Sequence, residues 1–259
     1  MFFQSWIKFP NLNMKGLSKN PEAFHFFSTF PYLIQYKFLS ANTNPIFQTF
    51  LDNNIHKINN SKLSKNPSAI PLLYKYPEKI NWNNLSRNPS AIPLLQSNPE
   101  KINWNYLSSN PSAIPLLQSN PDKINWNHLS LNPNAIQLLE ENKSKINYTL
   151  LSYNPSAIHL ILEKKNLIYI EGFSQNTSYE AIEYLAKNPE LIHWSSLSLN
   201  KSAFVLLKTN INKIDYNNLS FNYYEEIIHL LKPNLAKINW FGLSQSPFIF
   251  LNKKNDFCL

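Results

Sequence analysis

Seven lysines, Lys57, Lys79, Lys101, Lys123, Lys145, Lys213 and Lys237, each stand immediately before an isoleucine, and six of them stand three residues before a tryptophan or tyrosine. A row of ammonium groups beside flat aromatic faces could follow a phosphate backbone and stack bases. Glu78, Glu100 and Asp122 directly precede their lysines and cancel much of that field, so a solvated charged edge is the plainer reading. A second column could supply nucleophiles: serines recur as Ser18, Ser40, Ser64, Ser86 and onward in every copy of a repeated unit. One hydroxyl in every layer reads as a hydrogen-bonding ladder, because an active site needs different residues converging on one point. The six histidines fail the same test. His25, His159 and His229 share one slot in distant units, and His56, His128 and His193 are as scattered. No GxGxxG, Walker loop or HExxH pattern occurs, and three glycines could hardly build a phosphate loop. These columns imply no enzyme, no metal site and no cofactor.

The frame that positions the columns is a tandem repeat. NPSAIPLLQSNPEKINW at 88–104 returns 22 residues later as NPSAIPLLQSNPDKINW. A Leu-Ser pair marks each copy, beginning at Leu17, Leu39, Leu63, Leu85, Leu107, Leu129, Leu151, Leu197, Leu219 and Leu243, with Phe173 replacing Leu once; the steps are 22 or 24 residues. Asn stands two residues after that Ser in ten copies, and Ser246 in the last. An aliphatic residue lies five positions before every marker, from Leu12 and Ile34 to Ile238, as a continuous seam requires. Two residues further on come Trp82, Trp104, Trp126, Trp194 and Trp240, with tyrosines in other copies. In the copy from Phe173 the two extra residues fall between Asn176 and Ala181, which suggests a loop or a helix start.

A single long helix through the repeat is excluded by Pro89 and Pro99 within one period. Asn-Pro is instead a helix start, since Asn caps and Pro at the first position loses only an unpaired N–H. Asn88-Pro89 therefore opens one helix burying Ala91, Ile92, Leu94 and Leu95; Asn98-Pro99 opens a shorter one carrying Ile102; and Asn103 caps a third from Trp104 to Leu107. Pro71, Pro93 and Pro115 fall inside the first helix, which must either kink there or start later than its Asn-Pro. Pieces this short cannot stand alone and must stack.

The expected fold is therefore all-α: an α-solenoid of about eleven repeats of 22–24 residues, each of two or three short helices. It forms a single repeat domain over 1–259, with an N-terminal cap at 1–11, tandem repeats at 12–246, and a C-terminal cap and tail at 247–259, where Asn252 and Lys253 replace the usual Leu pair. At a helix spacing of ~8–10 Å, eleven layers predict a rod or arc on the order of 100 Å long. Composition agrees: 14% aromatic and 43% hydrophobic residues are too many for a disordered chain. The single cysteine, Cys258, excludes a disulfide framework and suggests a reducing compartment, and the opening MFFQSWIKFP is too interrupted for a signal peptide. Nothing approaches 18 uninterrupted apolar residues, so no membrane partner is expected. The net charge of +8 permits an acidic partner without requiring one.

The unit L-S-x-N-P-x-A-I-x-L-L-x-x-N-P-x-K-I-N-W resembles Asn-Pro-rich tandem-repeat proteins of large nucleocytoplasmic DNA viruses (mimivirus-like). That resemblance implies a host-cytoplasmic or virion setting and brings no established activity. The expected function is a non-enzymatic scaffold presenting an extended surface to a protein partner, by analogy with helical solenoids in general. Nucleic-acid binding along the lysine stripe and a structural virion or assembly role are the alternatives. The partner surface is expected where the frame is constant and the residue varies, namely the slot after each marker Ser, which holds Arg87, Tyr153 and Phe221 among others, together with the seven lysines.

Overall fold

The computed structural model describes residues 3–250. The full repeat is a 3-10 turn running into a short α-helix, a second 3-10 turn, an extended residue and a second short α-helix; the first 3-10 turn is absent before the helices that begin at Phe24, Ile136, Tyr179, Phe204 and Ile227. In one unit these are Pro89–Ala91, Ile92–Gln96, Pro99–Lys101 and Trp104–Ser108. The proline conflict resolves in favour of a late start. Ala91, at φ −93° and ψ 1°, separates the 3-10 turn from the α-helix, so Pro93 falls in the first turn of that helix and forfeits no bond. Asn98 does not cap forward as expected: its Nδ2 donates back to the Leu94 carbonyl at 2.9 Å and closes the helix it follows. Ile102, expected within a helix, is extended at ψ 124°. Asn103 caps as expected, accepting the Tyr106 N–H. The longer copy from Phe173 uses its extra residues as a helix start, with the Ser178 hydroxyl capping Tyr179–Lys187.

The Leu markers form the innermost column, between fully buried and 2% exposed, and the following serines are equally enclosed. Nine of the eleven marker serines make two bonds, while among the described residues Ser174 and Ser244 only accept the N–H of the next unit. Ser86 donates to Trp82 O of its own unit at 2.8 Å and accepts the Asn103 N–H of the next at 3.0 Å. Each buried Asn makes three. Asn110 donates from Nδ2 to Ser86 O and Asn88 O of the preceding unit, both at 3.0 Å, while its Oδ1 accepts the Ser112 N–H. Among the described residues, every side-chain polar atom that the stacking buries along this line is paired, as burial demands.

The open rod or arc expected from the sequence is corrected, because the array closes on itself. Asn13 N–H donates to Ser244 Oγ at 2.9 Å, and Asn20 Nδ2 donates to Ser244 O at 3.1 Å and Ser246 O at 2.7 Å. The same bonds recur at the internal junctions, except for the ladder bonds between Asn222 and Ser246, and here they join the first unit to the last. The last unit is itself shared by the two ends of the chain. Leu243–Phe250 supplies its first part; Phe9–Asn11 supplies its second 3-10 turn and Leu12 its seam residue. Gln4 N–H donates to Ile249 O at 2.9 Å, Phe3 and Phe250 pair as an antiparallel bridge, and their rings stack at 4.9 Å. Ile249 is fully buried in this joint. The capping role expected of Asn252 and Lys253 lies outside the described residues.

Closure has a local cause. Neighbours approach most closely along the Leu-Ser-x-Asn-Pro segment and the helix before it, while the Ile-x-Leu-Leu helices stand farther apart. Each unit is thus a wedge, and eleven wedges of about one-eleventh of a turn complete a circle, as closed assemblies of like units must. The Asn and Ser ladder lines the inner side and the Leu-Leu helices form the outer wall.

Candidate functional site

The slot after each marker Ser varies because it faces the next unit. At five junctions its side chain meets the residue just before the next marker: Lys19 with Phe38, Arg87 with Tyr106, Tyr153 with Gly172, Gln175 with Ser196 and Phe221 with Gly242. Tyr153 covers Gly172, where an added Cβ would lie 2.7 Å from the phenol ring, and Phe221 covers Gly242 in the same way at 2.9 Å. Gly16 occupies the equivalent slot at the closing joint, where a methyl group would overlap the Phe241 carbonyl. All three glycines in the chain therefore sit in one repeat position. Arg87 lays its guanidinium over the Tyr106 ring at 3.9 Å, and Gln175 donates to Ser196 Oγ at 3.3 Å. Of the residues expected to face a partner, Tyr153 and Phe221 are half-buried against the next unit and Arg87 remains exposed.

The lysine column lies on one exposed edge of the ring, and four of its members lie over aromatic rings of the preceding unit. Lys123 sits 4.6 Å from the Trp104 ring, Lys145 4.4 Å from Trp126, Lys57 5.1 Å from Tyr36 and Lys237 4.8 Å from Tyr216. Such cation–π contacts are worth about 0.5–1 kcal/mol each at exposed sites. Lys79, Lys101 and Lys213 end exposed 3-10 turns on the same edge. The aromatic column is half-buried in the stack, so its faces are not open platforms.

The histidines are as dispersed as their spacing implies. His159 pairs with Glu140 at 2.9 Å and His229 lies 3.6 Å from Glu226. His193 Nδ1 lies 2.9 Å from Ser196 Oγ, with Asp215 in the next unit, which on paper resembles a catalytic triad. The geometry is that of caps. His193 and Asp215 stand where other units carry the capping Asn; Nδ1 accepts the Ser196 N–H, and the Asp215 carboxylate accepts from Ser195 Oγ and the Asn218 N–H, not from His193.

Two regions depart from the repeat pattern in ways the stacking does not require, and the column comparison missed both. On the outer wall, Val205 replaces the proline of the consensus and is 70% exposed; with Phe204 and Tyr224, itself 41% exposed, it borders a groove of about 320 Å³. The signal was present in the sequence as a branched apolar residue in a slot that elsewhere holds Pro, His, Gln, Thr or Glu, with Leu251 its one apolar counterpart. In the first three units, Lys15, Lys37 and Lys57 line a groove of about 480 Å³ with Tyr36 and Phe38.

Fold and ladder together define a closed, all-helical solenoid of 22–24-residue repeats. By sequence the chain belongs to the family described as NosD, periplasmic copper-binding protein, whose model matches residues 33–226, three-quarters of its length. No curated protein and no solved structure matches it. Among the described residues no group of three or more His, Cys, Asp or Glu side chains could hold a metal ion. The one buried side-chain atom among the described residues without a hydrogen-bond partner, His128 Nδ1, lies near the Arg87 guanidinium, whose charge would repel a cation. Among the described residues, no helix is long and apolar enough to cross a membrane.

Proposed function

We propose that the protein is a non-enzymatic ring scaffold that holds a protein partner on its outer wall, across the groove bordered by Phe204, Val205 and Tyr224. The observation that carries this reading is Val205. A consensus proline serves the same helix position in other units, yet here a branched apolar side chain is left 70% exposed beside two aromatic rings. An exposed apolar cluster within a polar surround is where partners dock, and aromatic anchors dominate such contacts. The inner ladder, by contrast, is fully engaged in holding the units together.

The alternatives gain less support. Four of the seven column lysines rest on aromatic faces, which suits an edge that staples units better than a track for bases. An assembly component growing through its ends would need an unpaired end unit, and here the two ends are joined to each other. A single cysteine and the resemblance to viral repeat proteins favour a cytoplasmic setting over the one in the family's description.

The test is affinity capture from nuclease-treated lysate, with wild type beside a Val205→Glu/Tyr224→Ala variant whose circular dichroism and melting temperature match wild type. A specific protein retained by wild type and lost from the variant is expected. Identical capture by both, or recovery of nucleic acid alone from untreated lysate, would contradict the proposal.

A further inference from the structure

Charge is unevenly distributed around the ring. Residues 1–65 hold seven lysines against only Glu22 and Asp52, so most of the net +8 lies in the first three units. Asp52 is already committed, accepting from Lys75 of the fourth unit at 2.8 Å and from the Tyr76 hydroxyl at 2.7 Å. Of the two carboxylates, Glu22 alone then stands against the remaining lysines of this stretch.

Five of those lysines converge. Lys15, Lys37 and Lys57 line the 480 Å³ groove with no carboxylate among its lining residues. Beside it the ammonium groups of Lys62, Lys15 and Lys19 lie 3.8, 5.9 and 6.0 Å from the centroid of one phenyl ring, Phe38. None of the five belongs to an ion pair among the described residues. The crowding is felt: burial first, and then the charge of Lys62, pull the Lys19 pKa below the ordinary lysine value, and burial does the same to Lys62. Like charges gathered in this way repel one another until a counter-charge arrives.

We infer that this groove binds a compact polyanion carrying adjacent phosphate groups, with Lys15, Lys37 and Lys57 as its phosphate ligands and Lys19 and Lys62 raising the local potential. Several features select a compact ligand over a strand of nucleic acid. The groove is confined to the first units, and its size suits a small molecule. The Phe38 ring already carries cations, which leaves it unavailable for base stacking. Continuing around the same edge, a strand would meet Glu78, Glu100 and Asp122 beside their lysines, whereas His56 precedes Lys57 and adds no negative charge. Ammonium groups suit phosphate as point charges without demanding one fixed geometry.

Isothermal titration of the full chain with inorganic tripolyphosphate at fixed ionic strength tests the assignment. ATP and inositol hexakisphosphate serve as alternative sources of the same chemistry, and a poly-dT oligonucleotide as the competing class. The expected result is saturable binding of one tripolyphosphate per chain, weakened at least tenfold in Lys15→Gln/Lys37→Gln/Lys57→Gln and changed less than twofold in Lys79→Gln/Lys101→Gln/Lys123→Gln. Melting curves of both variants confirm that the ring is intact. Absence of saturable binding to wild type, equal weakening by the two triple variants, or oligonucleotide binding tighter than tripolyphosphate and lost equally in both would each overturn the inference. None of these outcomes bears on the outer-wall groove, so the two proposals fail separately.

Discussion

Tyr153 lies flat over Gly172 of the next unit, and a Cβ at that glycine would come within 2.7 Å of the ring. The pair shows how nearly identical units are kept in order. The junctions share one ladder, and several add their own complementary pair: a ring over a glycine, a guanidinium over a phenol, an amide on a hydroxyl. Gly172→Ala alone is expected to cost about 1–3 kcal/mol through overpacking. In a Tyr153→Ala background the same change should become neutral or stabilising, because Ala exceeds Gly in helix propensity by about 1 kcal/mol. Urea unfolding of the four proteins in the cycle checks the reversal; additive effects would show that the two residues are independent.

The ladder predicts a steep contrast between two asparagines in neighbouring units. Asn110 is fully buried and bonded to two carbonyls of the preceding unit, so Asn110→Ala should cost about 3 kcal/mol by leaving buried groups unpaired. Asn127 is exposed, and Asn127→Ala should stay within about 0.5 kcal/mol. Equal shifts in urea midpoint would remove the ladder from the account of stability.

One rung is missing. Ser246 stands where the other ten units carry Asn, and the Ser220 and Asn222 carbonyls, which an Asn would bond, receive no side-chain donor among the described residues. Ser246→Asn should therefore stabilise the ring by about 1 kcal/mol. A lowered melting temperature would mean that the joint has no room for the standard rung.

His128 should make stability depend on pH. Burial first, and the Arg87 guanidinium second, hold its pKa below the ordinary 6.5. Above that value both folded and unfolded chains carry a neutral imidazole and nothing is lost; as pH falls through it, the unfolded chain takes up the proton first and stability declines. The urea midpoint of wild type should drop between pH 7.5 and 5.5, and that of His128→Gln should drop less. Identical slopes would place the dependence elsewhere.

How much of this was legible in the sequence differs by residue. The Leu markers, the aliphatic seam and the Ser and Asn columns spell out their own roles, since a residue required in every layer is one that layers use on each other. Pro93 was ambiguous because a kinked helix and a late start leave the same spacing; the Ala91 backbone decides between them. Ring closure was hidden because it follows from a small wedge angle multiplied eleven times, which no single junction reveals. One clue was present: Leu12 is a seam residue with no marker before it, and Leu243 is a marker with no seam after it, so each end holds half of one unit. The post-serine slot misled most. Variation there reads as recognition of a partner until Gly172 and Gly242 are seen to vary in step with Tyr153 and Phe221.

The central claim is that the eleven units form a closed ring, and distances between paired spin labels test it most directly. With Cys258→Ser as background, labels at Lys15→Cys and Asn217→Cys span two junctions across the joint, and labels at Asn105→Cys and Thr149→Cys span two junctions within the array, all in the same exposed slot. The ring predicts the same narrow distance for both pairs. A Lys15–Asn217 distance far longer than the Asn105–Thr149 distance, as the opposite ends of an arc on the order of 100 Å would give, would contradict it.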